Sequence, residues 1–117
     1  MNTICFIGYP RCTTCIKAYK AIQEMGLEVQ YRNIQTENPT KEEIQEWIAQ
    51  GVELKNLFNT SGKLYRELNV KEKRKTSSDE ELIDLLSQNG MLVKRPIVIG
   101  NNKIIVGNKI SEYESLK

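Results

Sequence analysis

The 117-residue sequence predicts an α/β domain in which a mixed β-sheet is flanked by helices and interrupted by a helical insertion between its second and third strands. Three observations carry that expectation. Short apolar runs of strand character stand near both ends, Thr3-Ile4-Cys5-Phe6-Ile7 at one and Ile97-Val98-Ile99 with Ile104-Ile105-Val106 at the other. Between them, apolar residues recur at helical spacing behind capping residues. At the first strand-to-helix junction stands Cys12-Thr13-Thr14-Cys15, two thiols on one helical face and within easy reach of a disulfide.

Taken in order, the first strand ends in the turn Gly8-Tyr9-Pro10-Arg11. Ala18, Tyr19, Ile22 and Met25 then continue a helical stripe that begins at Cys15, and Gly26 supplies the left-handed residue that ends such a helix. A second strand is expected over Glu28 to Ile34. Thr40-Lys41-Glu42-Glu43 is a capping box ahead of Ile44, Trp47 and Ile48, and this helix should stop near Gly51. Leu54, Leu57 and Phe58 suggest one short helical turn, and Leu64, Tyr65 and Leu68 another that starts near Ser61-Gly62. Ser78-Asp79-Glu80-Glu81 caps a further helix through Leu82, Ile83, Leu85 and Leu86, closing at Asn89-Gly90. From Pro96 the pattern becomes a β-hairpin with a Gly100-Asn101-Asn102 turn, followed by a last helix over Ser111 to Leu116. Strand-helix-strand followed by a hairpin is the plan of a thioredoxin-like (glutaredoxin-like) domain, with residues of about 37–92 as the insertion and the whole of 1–117 as a single domain.

A net charge of +2 is too small to argue for direct binding to nucleic acid or to an anionic membrane. The basic run Lys71 to Lys75 contains Glu72 and precedes Asp79-Glu80-Glu81, so it reads as a solvated connection. Ile4 to Ile7 is too short and lacks a basic flank for a signal peptide, and no stretch is long enough to span a membrane. These features set the expectation of a cytoplasmic, monomeric protein. Three cysteines in a reducing compartment argue against a structural disulfide framework, so the close pair is catalytic, regulatory or metal-binding. Metal is the weakest alternative, because the chain has no histidine and no second cysteine pair. Cys5, between Ile4 and Phe6, is expected to be a small buried strand residue and inert.

Cys12 precedes or opens a helix, where free N–H groups and the positive helix end favour a thiolate. Arg11 adds a positive charge nearby. Cys15, on the stripe with Tyr19 and Ile22, should face inward and keep a higher pKa. That asymmetry makes Cys12 the attacking nucleophile and Cys15 the residue that resolves the mixed disulfide. Thr13 and Thr14 could donate hydroxyl hydrogen bonds there, but completing the helix cap is the preferred reading for both. Arg95-Pro96 is the second constellation: a proline opening a strand is ordinary at a sheet edge, whereas the thioredoxin-like plan implies a cis bond lying against the reactive cysteine, with Arg95 beside it to hold an anion or thiolate.

Three segments, Gly8 to Cys15, Leu57-Phe58-Asn59-Thr60 with Tyr65-Arg66-Glu67-Leu68, and Leu92-Val93-Lys94-Arg95-Pro96-Ile97, together resemble the ArsC/Spx family over essentially the whole chain. The resemblance implies a nucleophilic cysteine at Cys12, an arginine at Arg95 and no bound cofactor. In the arsenate reductase branch it implies glutathione and glutaredoxin as electron donors and three arginines around the oxyanion. Here Asn59 stands at or near the second of those positions, and Gly107-Asn108-Lys109 near the third. In the Spx branch the resemblance implies a Cys12/Cys15 redox switch and the C-terminal domain of the RNA polymerase α subunit as partner, with Gly51 near the glycine associated with that contact. A small thiol or a disulfide-bearing protein is the partner expected of a thiol-disulfide oxidoreductase.

Overall fold

Four strands form one mixed sheet: β1 (Thr3–Gly8), β2 (Glu28–Asn33), β3 (Ile97–Gly100) and β4 (Lys103–Val106). The computed structural model describes residues 3–100, 103–107 and 109–116, so Asn101 and Asn102 of the expected hairpin turn, and Asn108, lie outside the described residues. The strand order is β2-β1-β3-β4. β1 runs parallel to β2, with Phe6 opposite Tyr31, and antiparallel to β3, with Phe6 opposite Val98. β3 and β4 pair antiparallel as the hairpin expected from the sequence. The fold is the thioredoxin-like mixed sheet with flanking helices that the order of elements predicted.

The chain divides into two compact units, one made of the residues up to Ile34 and from Arg95 onward, the other of Gln35–Lys94. In the first unit, α1 (Thr13–Glu24) follows β1, and α6 (Ile110–Tyr113) follows β4, continuing as a 3-10 turn over Glu114–Leu116. Strand alternation sends Ile4 and Phe6 to the sheet face that meets Cys15, Ala18 and Ile22 of α1 and Tyr113 and Leu116 at the end of the chain. All of these are fully buried. Cys5 points to the opposite sheet face by the same alternation, and it is half-buried rather than sealed as the sequence suggested. α1 ends at Met25, and Gly26 follows with φ +79°, the left-handed residue expected there.

In the second unit, α2 (Lys41–Ala49) opens with the complete capping box: the Thr40 hydroxyl accepts from the Glu43 N–H at 3.1 Å, and the Glu43 carboxylate accepts from the Thr40 N–H at 2.9 Å. Gly51, with φ +111°, ends it. A 3-10 turn at Leu54–Leu57 and α3 (Lys63–Glu67) match the two short helical turns expected. The basic run belongs to a helix, α4 (Val70–Thr76), and not to a connecting segment, while Lys71, Lys73 and Lys75 are exposed to solvent as expected. Its single buried anchor is Val70, and Arg74 reaches back to donate to the Tyr65 hydroxyl at 3.1 Å while lying 5.2 Å from the Phe58 ring centroid. α5 (Asp79–Gln88) is capped by Ser78, whose hydroxyl accepts from the Glu81 N–H at 3.2 Å. Lys41 joins α2 to α5 through Glu80 at 3.3 Å and Asp84 at 3.2 Å. No helix among the described residues is long and apolar enough to cross a membrane.

Gly8 closes β1 where the chain turns toward the cysteines. A Cβ there would stand 2.6 Å from Cε1 of the buried Phe6 ring and 3.3 Å from the Tyr31 hydroxyl. The ring has nowhere to retreat in a packed core, so Gly8→Ala should cost about 1–3 kcal/mol, as overpacking does. Urea unfolding is expected to show a lower midpoint with an unchanged slope; an unshifted midpoint would show that the strand end yields freely.

Candidate active site

The site is built where β1 stops and α1 starts. The Cys12 N–H donates to the Tyr9 carbonyl at 3.0 Å, closing the turn, and the Cys12 carbonyl accepts from the Ile16 N–H at 3.0 Å, the first bond of the helix. Cys12 is therefore the N-cap residue itself, with extended backbone at φ −87° and ψ 117°. Thr13 and Thr14 are the first two residues inside the helix and are exposed, so neither fills the capping role expected of them. That role was already taken by the cysteine one position earlier.

The two thiols sit in unequal surroundings. Cys12 is half-buried and Cys15 completely buried. Burial opposes ionisation of Cys12, but the backbone N–H of Cys15, the Cys15 thiol, and the charge and hydrogen bond of Arg95 together outweigh it, holding the Cys12 thiol below its ordinary range. Burial pushes the Cys15 thiol up to about 12; the Tyr9 backbone is too weak to offset it, and the neighbouring Cys12 sulfur adds to the rise. Among the described residues the cation acting on Cys12 is Arg95, while Arg11 is exposed in the turn.

Arg95 and Pro96 are joined by a cis peptide bond, as the thioredoxin-like plan implied. The Arg95 guanidinium lies 5.6 Å from the Tyr9 ring centroid, a cation–π contact that steadies it beside Cys12. Pro96 is buried, and its carbonyl accepts from the Gly107 N–H at 2.8 Å. The Gly107 carbonyl in turn accepts from the buried Tyr113 hydroxyl at 3.0 Å, so the end of β4, the proline and the helix that packs with Cys15 are tied in series. The sequence reading missed Tyr9 and Tyr113. Tyr9 adjoins Pro10 in a turn otherwise read only for its backbone, and Tyr113 carries no signal beyond one apolar position in a short helix.

The two further positions singled out by the resemblance have local duties. Asn59 belongs to the second unit, where its N–H donates to the Leu92 carbonyl at 2.8 Å and its side-chain oxygen accepts from Ser61 at 3.3 Å. Lys109 pairs with Glu112 at 3.9 Å. Among the described residues no cluster of three or more cysteine and carboxylate side chains is placed to hold a metal ion.

The sequence profile of the ArsC family matches residues 7–116. The uncharacterized protein YusI of Bacillus subtilis is 42% identical over 113 residues, covering 96% of each chain. The global transcriptional regulator Spx of Staphylococcus aureus is 31% identical over 99 residues, 84% of this chain and 74% of that protein. Among solved structures, an ArsC family related protein from Bacteroides fragilis superimposes with a TM-score of 0.92 at 45% identity, covering 97% of both chains.

Alkylation of reduced protein with iodoacetamide should modify Cys12 first, with a pH midpoint below the value of about 8.5 for an ordinary thiol. Removing a cation destabilises the thiolate, so Arg95→Ala should move that midpoint upward and slow the reaction at neutral pH. An unmoved midpoint would remove Arg95 from the electrostatics of the site.

Proposed function

Because the chain belongs to the ArsC family, we propose that it is a thiol-disulfide oxidoreductase whose electrons pass through the Cys12/Cys15 pair. The observation that carries this reading is the unequal placement of the two thiols at a single helix start, Cys12 half-buried at the N-cap beside Arg95 and Cys15 sealed in the core, which favours the thiolate at one and the thiol at the other. The Cys12 thiolate attacks one sulfur of a disulfide, the Cys12–sulfur bond forms, and the other substrate sulfur leaves as a thiolate that takes up a proton. Cys15 then loses its proton and attacks Cys12. The Cys12–Cys15 disulfide forms, the second substrate sulfur departs, and two electrons have moved from the pair to the substrate. A thiol donor, glutathione or a glutaredoxin-like dithiol, returns the pair to its reduced state, in keeping with a cytoplasmic setting. Arg95 favours the Cys12 thiolate before attack and an anionic leaving sulfur after it.

The likeness to Spx supports a second reading, a redox-controlled regulator that binds the C-terminal domain of the RNA polymerase α subunit. Arsenate reduction is the weakest of the three: of the three arginines that the resemblance implies for that branch only Arg95 is clearly retained, with Asn59 at or near one of the other positions and Gly107-Asn108-Lys109 near the last, and each lost charged hydrogen bond costs about 1.5–3 kcal/mol.

Mild diamide treatment followed by mass spectrometry should find Cys12 joined to Cys15, with Cys5 left as the free thiol. Recovery of a Cys5–Cys12 disulfide as the main product would overturn the assignment. A pull-down with the polymerase α C-terminal domain, run on oxidised and on reduced protein, separates the second reading: binding in one state supports the regulator, and binding in neither removes it.

A further inference from the structure

One row of α1 lies beside the buried row, and beyond Cys12 it has no part in the chemistry described so far. Cys12, Ile16 and Tyr19 follow one another at spacings of four and three residues, which places them along one helical face. Ile16 sits one turn along from Cys12, bonded to its carbonyl, and is 54% exposed. Tyr19 meets Tyr31 of β2 edge to face, with ring centroids 5.1 Å apart, and both rings rest on Phe6, at 5.4 and 5.3 Å. Tyr31 remains 36% exposed, although its hydroxyl stands over Gly8 at the end of β1. The result is an apolar strip that starts at the reactive sulfur and is bounded on its β2 side by the two tyrosines.

A strip of this kind has a defined reach. Seven residues of helix separate Cys12 from Tyr19, about 10 Å of rise, which is the length of about three extended residues. Whatever lies on the strip while Cys12 reacts must already hold a sulfur at Cys12, so the strip receives the groups that flank that sulfur. The exposed Lys20, four residues past Ile16 on the same helix, sets positive charge beside the apolar row.

Resting on the thiol-disulfide reading above, we propose that the substrate is the disulfide of a polypeptide in which apolar residues, with an acidic residue among them, flank the attacked cysteine within about three positions. The apolar residues lie along Ile16, Tyr19 and Tyr31, and the acidic one faces Lys20. The chemical step is unchanged: Cys12 forms the mixed disulfide with the peptide, Cys15 resolves it, and one peptide disulfide is reduced for each Cys12–Cys15 disulfide formed.

The test is single-turnover oxidation of the pre-reduced full chain, which needs no added reductant. Three probes are compared: a disulfide-bonded peptide with apolar and acidic residues on both sides of its cysteine, the same peptide with serine in place of the apolar residues, and oxidised glutathione. The first should react about tenfold faster than the second, equivalent to about 1.4 kcal/mol, and Ile16→Ser should bring the two rates together. Ile16 is exposed, so the change should leave folding intact, which circular dichroism checks. Equal rates for the two peptides, or a ratio unaltered by Ile16→Ser, overturn the polypeptide strip alone. Oxidised glutathione reacting as fast as the first peptide also overturns it, in favour of a small anionic disulfide. Absence of the Cys12–Cys15 disulfide with all three overturns the strip and the thiol-disulfide reading together.

Discussion

The placement of Cys12 as the N-cap of α1 is the constraint on which the site depends. The Tyr9 turn holds the residue in an extended conformation while its carbonyl already belongs to the helix, so its sulfur projects where helix N–H groups have no helical partner. Three residues later the helix has made most of a turn, and Cys15 has rotated onto the face that meets Ile4, Phe6 and Val98 of the sheet. One backbone geometry therefore exposes one sulfur and seals the other. A shift of one residue in where α1 begins would exchange neither role cleanly, because the buried stripe through Ala18 and Ile22 fixes the rotation of the helix.

Electrostatics refine what the backbone starts. Desolvation penalises charge on both sulfurs, and the outcome differs because only Cys12 gathers enough donors to overcome it. Arg95 is the distant contributor in sequence, brought to the junction by the antiparallel pairing of β3 with β1 and steadied against Tyr9. The Gly107 and Tyr113 hydrogen bonds extend the same support to the carbonyl of Pro96. Most of these contacts are backbone-mediated or aromatic, so the site needs few charged side chains.

Much of the fold was legible because local chemistry and global position agreed. The Thr40 capping box, the stripe from Cys15 to Ile22 and the apolar runs of the hairpin each formed as read. α4 was not legible: in Val70–Thr76 only one residue is buried, and the contacts that hold the segment run from Arg74 to Tyr65 and Phe58, which no periodicity within the segment reveals. At the site, the unequal cysteines could be read from a strand-turn-helix pattern. The support from Tyr9 and Tyr113, and the meeting of Tyr19 with Tyr31, depend on strand pairing and were hidden until the sheet order was known. The threonines misled because their preference for N-caps is a property of residue type, whereas the cap position was decided by the turn.

Membership of the ArsC family accounts for the architecture, and the chemistry proposed for the pair follows from the inequality of its two sulfurs. That inequality is open to direct measurement by titrating the carbon-13 Cβ signals of the two cysteines in the reduced protein. The account predicts two well-separated midpoints, with Cys12 below the ordinary thiol range and Cys15 still a thiol where free cysteine has ionised. Coincident midpoints, or Cys15 ionising first, would contradict it.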